Sequence, residues 1–357
     1  MNAINHTPEN PGMHADVVAP TYCSQRPWSM AAMVFGVLVI AIFSMSLGHY
    51  PLSSATILDV LWSALIGRDS AQGSAANNVV LAVRLPRVLA AMLVGASLSS
   101  AGAAFQTLFR NPLASPAILG VSAGAGFGAL LAMLLSAGGL MVQGAAFAGG
   151  VVAVGAAVFI ASRLGRGSVL LLVLSGLVVS ALFQALTSAL KFIADPLNIL
   201  PAMVFWLLGG LGQASLADLI YASPFALVGI AVLFLLRWPT QVLEAGDDEA
   251  KTMGISVRPL RLILIAAATL TTAAAISIAG TVGWVGLLVP HLARLLVGPT
   301  YTLLLPTSAL LGAGYLLIVD DVCRSAFSTE LPLGIATAIL GAPTFVVVLM
   351  RARRQWS

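Results

Sequence analysis

Ten long apolar stretches, almost free of charged residues, constrain this chain more than any other feature of its sequence. A hydrocarbon core about 30 Å thick takes about 20 helical residues to cross, and a crossing segment must satisfy its own backbone hydrogen bonds. The chain is 59% hydrophobic and 8% charged, whereas soluble domains are about 25% charged. We predict an all-α polytopic membrane protein with ten transmembrane helices near 29–49, 88–109, 117–137, 141–161, 168–190, 219–237, 259–279, 282–297, 302–320 and 334–350.

The distribution of basic residues predicts the orientation of these spans. Of the 17 Lys and Arg residues, twelve fall on one side and five on the other. Cytoplasmic loops are enriched in Lys and Arg, so both termini are predicted to be cytoplasmic. The net charge of +4 then reflects membrane orientation and gives no sign of a nucleic-acid partner. The five basic residues predicted on the outer side are Arg68, Arg84, Arg87, Lys191 and Arg324.

The regions outside the spans are short. Residues 1–28 form a polar cytoplasmic tail, predicted to be disordered and without a cleavage site, and residues 29–357 form one membrane domain. Residues 199–212 are apolar but too short to cross a bilayer, which predicts a re-entrant or interfacial helix on the outer side. Apolar residues at helical spacing in 51–67 predict an amphipathic helix along the outer surface. Cys23 and Cys323 are predicted on opposite sides, which excludes a disulfide between them.

Small residues such as Gly124 and Gly126 crowd the spans. They resemble a nucleotide fingerprint only superficially, because no strand precedes them. In lipid, small side chains let helix backbones approach closely, so we predict a tightly packed bundle.

The positions of the acidic residues bear on the energy source for any transport. All 13 acidic residues are predicted in tails, loops or span ends, with Asp320 and Asp321 closest to the bilayer. Ion-coupled carriers need an intramembrane carboxylate or His, and the acidic residues leave no obvious site for proton coupling. The segment Gly246–Thr252 also lacks the second Gly of a phosphate-binding loop. Any transport therefore needs a partner that supplies energy.

That same segment belongs to the longest polar cytoplasmic loop. It predicts a short helix over 244–253, stopped at Gly254, with acidic residues toward its N-terminal half. Two interpretations remain open: a solvated connector, or an element whose apolar side docks into a groove of a partner. The residues of the docking interpretation are Glu244, Asp247, Asp248, Glu249, Ala250, Lys251, Met253 and Gly254.

Several spaced motifs carry a family resemblance that extends from about residue 30 to the C-terminus. The chain resembles the permease subunits of ABC importers for ferric siderophores, haem and cobalamin, the FecCD-type or type II importers. The motifs are Arg84–Leu85–Pro86–Arg87, Arg110–Asn111–Pro112–Leu113, Leu119–Gly120–Val121–Ser122, Gly283–Trp284–Val285–Gly286, Pro290–His291–Leu292–Ala293–Arg294 and Glu330–Leu331–Pro332–Leu333–Gly334.

The resemblance implies the partners and several site residues. It implies a homodimer around a central path, two ATPase subunits and a periplasmic substrate-binding protein. The 244–256 loop would be the coupling helix on the ATPase, and His291 would be structural rather than a haem or metal ligand. The implied cytoplasmic gate comprises Asn111, Leu113, Gly165, Gly167 and Ser168.

The outer arginines fit a docking role. Arg84 and Arg87 are three residues apart near Pro86, predicted in the first turn of a helix, and so share a face. Arg324 is predicted just after the ninth span. Snorkelling to lipid phosphates is one interpretation; bidentate pairing with carboxylates of the binding protein, as in the family, is the other.

Three function classes follow. The first is a permease subunit, not an enzyme, of an ATP-driven importer in a bacterial inner membrane; it binds no cofactor, and ATP and Mg are used by the partner ATPase. The second is an ion-coupled secondary carrier, and the third a receptor or scaffold. For the importer, haem is the first substrate, a ferric siderophore the second and cobalamin the third.

Overall fold

The computed structural model describes residues 27–48, 50, 52–67, 73–165, 168–326 and 329–353, and every regular element in these ranges is helical. The predicted tail, apart from its last two residues, therefore lies outside the described residues. The α-helices are α1 (Pro27–Ser46), α2 (Ser54–Ile66), α3 (Gly73–Asn77), α4 (Leu85–Leu108), α5 (Val121–Leu134), α6 (Gly139–Leu164), α7 (Val169–Ile193), α8 (Ile199–Leu208), α9 (Leu216–Leu235), α10 (Arg237–Ala245), α11 (Asp247–Thr252), α12 (Val257–Ala279), α13 (Val285–Val297), α14 (Tyr301–Ser325) and α15 (Leu333–Arg353).

Six of the described helical runs are long and apolar enough to cross a membrane. They are Ala75–Leu108, Gly139–Leu164, Val169–Ile193, Leu216–Leu235, Val257–Ala279 and Tyr301–Ser325. The chain is therefore an all-helical, multi-pass membrane protein. Each of the ten predicted spans overlaps a helix, but α5 has 14 residues and α13 has 13. At 1.5 Å per residue these two cover only about 20 Å, so the number of crossings stays a prediction.

The helix that carries Arg84 and Arg87 begins earlier than the sequence predicted. A π-helical segment at Asn78–Arg84 joins α3 to α4 without a break, and the Leu85 N–H bonds to the Val80 carbonyl. Pro86 cannot donate a backbone hydrogen bond, and the wider π turn accommodates it within the run. The prediction that both arginines occupy a first helical turn was therefore wrong.

Helix α4 lies at the centre of the bundle. Nineteen of its 24 residues are buried, and it contributes side chains to both large apolar clusters, one shared with α5, α6 and α12 and the other with α2 and α14. A methyl group added at Gly95 would collide with the Gly312 carbonyl of α14. A methyl group at Gly124 of α5 would collide with the Gly149 carbonyl of α6. The predicted close packing through small residues is confirmed.

Two short apolar helices match the sequence predictions. Helix α8 has 10 residues, too few to cross a bilayer. Helix α2 begins after Ser53, whose side chain accepts from the Thr56 N–H, and it buries Ile57 and Val60 while Trp62 and Leu65 are exposed. Helix α2 has an exposed and a buried side, whereas α8 is apolar throughout; their position at the outer surface stays a prediction.

Candidate functional site

Charged side chains collect at the two ends of α4. Arg87 lies near its start and Arg110 just after its end, 23 residues apart, or about 34 Å along a helix at 1.5 Å per residue. We name the end that contains Arg110 and Asp247 the basic end, and the end that contains Arg87 the opposite end. The predicted orientation makes the basic end cytoplasmic.

Asp247 connects three elements at the basic end. Its Oδ1 accepts from Arg110 Nη2 at 2.7 Å, and Arg261 Nη2 of α12 donates to both of its oxygens at 2.9 and 3.0 Å. Arg110 Nη2 also donates to the Leu243 carbonyl of α10 at 3.1 Å. The carboxylate of Asp247 thus joins the turn after α4 to α11 and α12, and Arg110 adds a contact with α10. We call Arg110, Asp247 and Arg261 the Asp247 junction.

The turn after α4 contains two residues of the implied gate. Asn111 Oδ1 accepts from the Leu113 N–H at 2.9 Å, so Asn111 caps the backbone of this turn. The Leu113 side chain is 46% exposed. Because Arg110 precedes Asn111 directly, the Asp247 junction fixes this turn to α11.

The turn between α6 and α7 also lies at the basic end, near α11. Ser168 caps α7 by accepting from the Leu171 N–H at 3.3 Å. Gly165 and Ser168 line a cavity of about 920 Å³ together with Asp247 and Lys251. The structure therefore brings the implied gate and the implied coupling segment together. Gly167 lies outside the described residues.

The coupling segment differs from the single helix predicted over 244–253. The chain breaks at Gly246, between α10 and α11. Ala250, expected on a partner-facing apolar side, is fully buried within the chain. That expectation was wrong because α11 packs its apolar side inward against the core.

The outward side of α11 is mostly polar. Asp248 and Lys251 form an exposed ion pair at 2.8 Å; the hydrogen bond lowers the pKa of Asp248 and raises that of Lys251. Glu249, Met253 and Gly254 are also exposed. This side therefore offers charged side chains and one flexible apolar side chain, Met253, to a partner.

Glu244 is held differently from the other acidic residues of the segment. It lies 3.5 Å from Arg294 of α13 and is partly buried. Burial raises the pKa of Glu244, and the Arg294 charge opposes that shift. The contact joins α10 to the Pro–His–x–x–Arg motif.

The sequence interpretation assumed that the three arginines of the opposite end are available to a partner protein. In the structure they are buried and bonded within the chain. Arg84, Arg87 and Arg324 are 4%, 8% and 5% exposed. Arg87 makes a bidentate pair with Asp320, at 2.8 Å from Nε and 3.0 Å from Nη2, and its Nη1 donates to Glu330 at 2.8 Å. A buried charge must be compensated locally, and here the compensation comes from within the chain.

The other two arginines join α1 to the bundle. Arg84 donates to the carbonyls of Met45, at 2.7 Å, and Tyr50. Arg324 bonds to Asp321 and to Ser44, whose hydroxyl also donates to Asp321 at 2.7 Å. These contacts fasten the end of α1 onto α4 and α14.

Sequence reasoning missed the carboxylates that serve these arginines. Asp320 and Asp321 lie inside α14, which extends to Ser325, and both are buried. The three-residue spacing of Asp321 and Arg324 is a local signal for a helical ion pair. Pairing of Arg87 with Asp320, or of Arg110 with Asp247, has no signal along the chain because more than 130 residues separate each pair.

The remaining candidate ligands do not form a cluster. Within the described residues, no group of three or more His, Cys, Asp or Glu side chains is arranged to hold a metal ion. His291 is buried, with its ring 6.2 Å from that of Phe345. Cys323 is buried with a free thiol.

One protein family and several known proteins match nearly the whole length of this chain. A family model described as the FecCD transport family matches residues 36–351. The molybdate import system permease protein MolB of Haemophilus influenzae is 37% identical over 338 residues, 92% of this chain and 98% of that protein. The hemin transport system permease protein HmuU of Yersinia pestis is 34% identical, over 91% of this chain and 97% of its own.

A solved structure gives the same result for the fold. It is described as an inward-facing conformation of an ABC transporter assigned to the metal-chelate type. Its TM-score is 0.82 at 33% sequence identity, and the match covers 91% of this chain and 100% of the other.

Proposed function

Because the chain belongs to the FecCD transport family, we propose that it is the membrane-spanning subunit of an ATP-driven importer that moves a bulky metal chelate from the periplasm to the cytoplasm. Two copies form the path, two ATPase subunits bind at the basic end, and a substrate-binding protein docks at the opposite end. The importer works in a bacterial inner membrane.

The Asp247 junction is the observation that carries this proposal. A separate ATPase can drive transport only if its motion reaches the gate. Arg110 belongs to the turn that holds Asn111 and Leu113, and Asp247 is the first residue of α11. A displacement of α11 therefore pulls directly on the gate turn through a charge-assisted contact of 2.7 Å.

Within this proposal, the residues have separate roles. Asp248, Glu249, Lys251 and Met253 contact the ATPase, since they form the outward side of α11. Glu244, Asp247 and Ala250 hold the segment against the bundle. Leu113, Gly165, Gly167 and Ser168 meet their copies across the two-fold axis and close the cytoplasmic mouth.

The docking role of the arginines is revised accordingly. Arg84, Arg87 and Arg324 hold the outer ends of α1, α4 and α14 in position beneath the docking surface. Glu330, whose side chain is 48% exposed while it contacts Arg87, is the acidic group at that surface. A Glu330→Gln change should alter affinity for the binding protein, whereas reversing a buried arginine to Glu would disturb the fold itself.

Haem is the first substrate proposed, with a ferric siderophore and cobalamin next. A relative that matches 91% of this chain is named a hemin permease, and small or apolar side chains suit a bulky, partly apolar complex. Molybdate, a small oxyanion rather than a bulky chelate, is a further candidate outside this order, because a relative that matches 92% of the chain is named a molybdate permease.

Transport by the purified chain in vesicles tests the proposal. The importer requires its ATPase, ATP and the binding protein, and an ion gradient alone moves nothing. The buried carboxylates Asp320 and Asp321 are paired with Arg87 and Arg324, which leaves neither available as a simple proton site. Uptake driven by an ion gradient without the ATPase would contradict the proposal and support a secondary carrier.

A further inference from the structure

We propose that this chain binds one anionic phospholipid of the cytoplasmic leaflet in a groove along α12, with the acyl chains against α6 and α9 and the headgroup at Arg258. This site adjoins the proposed gate, since Gly165 and Ser168 also line its headgroup end, but its lipid-binding test does not depend on the proposed function.

The upper part of the groove is apolar. A cavity of about 530 Å³ lies between α6, α9 and α12 and is lined by Val154, Val158, Val232, Ile265 and Leu270 among others. Leu262 and Ile263 on its rim are also apolar and are 45% and 46% exposed, and Phe159, which lines the adjoining cavity, is 57% exposed. In a multi-pass membrane protein such a rim faces hydrocarbon, and a cavity of this size lies within the range of about 300–1,000 Å³ for small-molecule sites.

The lower part of the groove is basic. The cavity of about 920 Å³ continues from the apolar one, since Gly155, Val158, Leu262 and Ile265 line both. Three cations and one carboxylate line its mouth: Lys251, Arg258, Arg261 and Asp247. Arg258 is exposed and forms no ion pair within the described part of the chain. Basic pockets between helices at the cytoplasmic side bind anionic headgroups.

The length of the groove matches one leaflet. From Arg258 to Leu270 the groove follows α12 for 12 residues, or about 18 Å. Half of a hydrocarbon core about 30 Å thick is about 15 Å. A lipid with its phosphate at Arg258 therefore places its acyl ends near Leu270, at the middle of the bilayer.

Charge favours an anionic headgroup at this mouth. Arg261 is paired with Asp247, and Lys251 is paired with Asp248, while Arg258 has no carboxylate partner among the described residues. A phosphate at Arg258 would supply the missing negative charge. A second copy of the chain as the occupant would instead show as a change in oligomeric state in the test below.

Lipid titration of the purified full-length chain tests the site. We would add phosphatidylglycerol or phosphatidylcholine with identical acyl chains to delipidated protein and count bound lipids by native mass spectrometry. Arg258→Gln should lower the preference for phosphatidylglycerol about fivefold, the effect of one basic group near an anionic headgroup. Arg237→Gln is the matched control, because Arg237 stacks on Phe234 outside the groove.

A second pair of variants tests the acyl part. Gly155 lines both cavities, and a side chain there meets no atom within 4 Å at its Cβ. Gly155→Leu should fill the groove and lower binding of both lipids, while Gly144→Leu, an equally open position on the same helix but outside the groove, should not. Thermal unfolding and size-exclusion profiles establish that each variant is folded.

Three outcomes would overturn the proposal. The first is equal binding of the two lipids by the wild-type chain. The second is a change in lipid binding that is the same for Arg258→Gln and Arg237→Gln, or the same for Gly155→Leu and Gly144→Leu. The third is a change in oligomeric state, rather than in lipid binding, caused by Gly155→Leu. None of these readouts involves transport, so failure here leaves the proposed function untouched.

Discussion

Arg87 shows how a single residue determines the stability of the opposite end. Its guanidinium uses three N–H groups on two carboxylates, and Asp320, the deeper of them, has a side chain only 3% exposed. An ion pair so placed contributes less than its geometry suggests, because both charges lose their hydration. Removing one partner is far more costly, since the other charge is left buried and uncompensated.

We therefore expect Arg87→Ala to lower the free energy of unfolding by about 3–5 kcal/mol. The double change Arg87→Met with Asp320→Leu should recover most of that loss, because it removes both charges. Thermal unfolding in detergent measures the stability of both variants. Lys191→Ala is the control, a basic residue without a recorded ion pair among the described residues. Full stability of Arg87→Ala would show that Asp320 does not depend on Arg87.

Helix positions could be predicted from sequence because an apolar run of helical length needs only local information. The ends of the helices and the breaks between them could not be predicted from sequence. The continuation of α4 back through the π segment depends on how the backbone adapts to Pro86, and the break at Gly246 depends on α11 turning Ala250 inward. Both outcomes are decided by packing against distant elements.

At the level of helix pairs, the crossing of α5 and α6 makes a direct prediction. Gly124→Ala should destabilise the chain by about 1–3 kcal/mol, the usual cost of overpacking, because the added methyl group meets the Gly149 backbone. Gly144→Ala on α6 should be neutral, since its Cβ meets open space. Equal unfolding temperatures for the two variants would show that α5 and α6 can separate freely.

The implied gate turns make a second prediction at this level. Cysteine introduced at Leu113 or Ser168, in a chain without Cys23, should cross-link between two copies in the closed state and less so when nucleotide changes the conformation. Cysteine at Ser54, exposed at the opposite end, serves as the outer control. If the control cross-links and neither gate position does in any nucleotide state, the gate lies elsewhere.

For the whole molecule, the sequence indicated the general function better than the detailed sites. Apolar runs and spaced motifs extend along the chain and indicate a permease without any tertiary contact. The Asp247 junction and the Arg87–Asp320 pair join residues 137 and 233 positions apart, so only the folded chain shows them. Substrate identity depends on residues and partners that the motifs do not specify.

Substrate choice is a prediction for the assembled importer. The cognate binding protein should bind haem more tightly than a ferric siderophore, cobalamin or molybdate, because selectivity in such a system belongs to the protein that first captures the substrate. Calorimetric titration with each ligand measures this. Preference for molybdate would reverse the order proposed here and leave the importer mechanism in place.

The most direct test of the account compares two neighbouring carboxylates of α11. Asp247→Asn keeps the shape of the side chain but weakens its contacts with Arg110 and Arg261, whereas Asp248→Asn makes the same change on a side chain that is 91% exposed. The measurement is substrate imported per ATP hydrolysed, in vesicles that contain the ATPase. We predict about a tenfold fall for Asp247→Asn, within the usual range of coupling free energies. Asp248→Asn should weaken ATPase association but leave the ratio in the assembled complex nearly unchanged, because Asp248 pairs with Lys251 and not with Arg110. Equal ratios for the two variants would contradict the claim that the Asp247 junction transmits the ATPase motion to the gate.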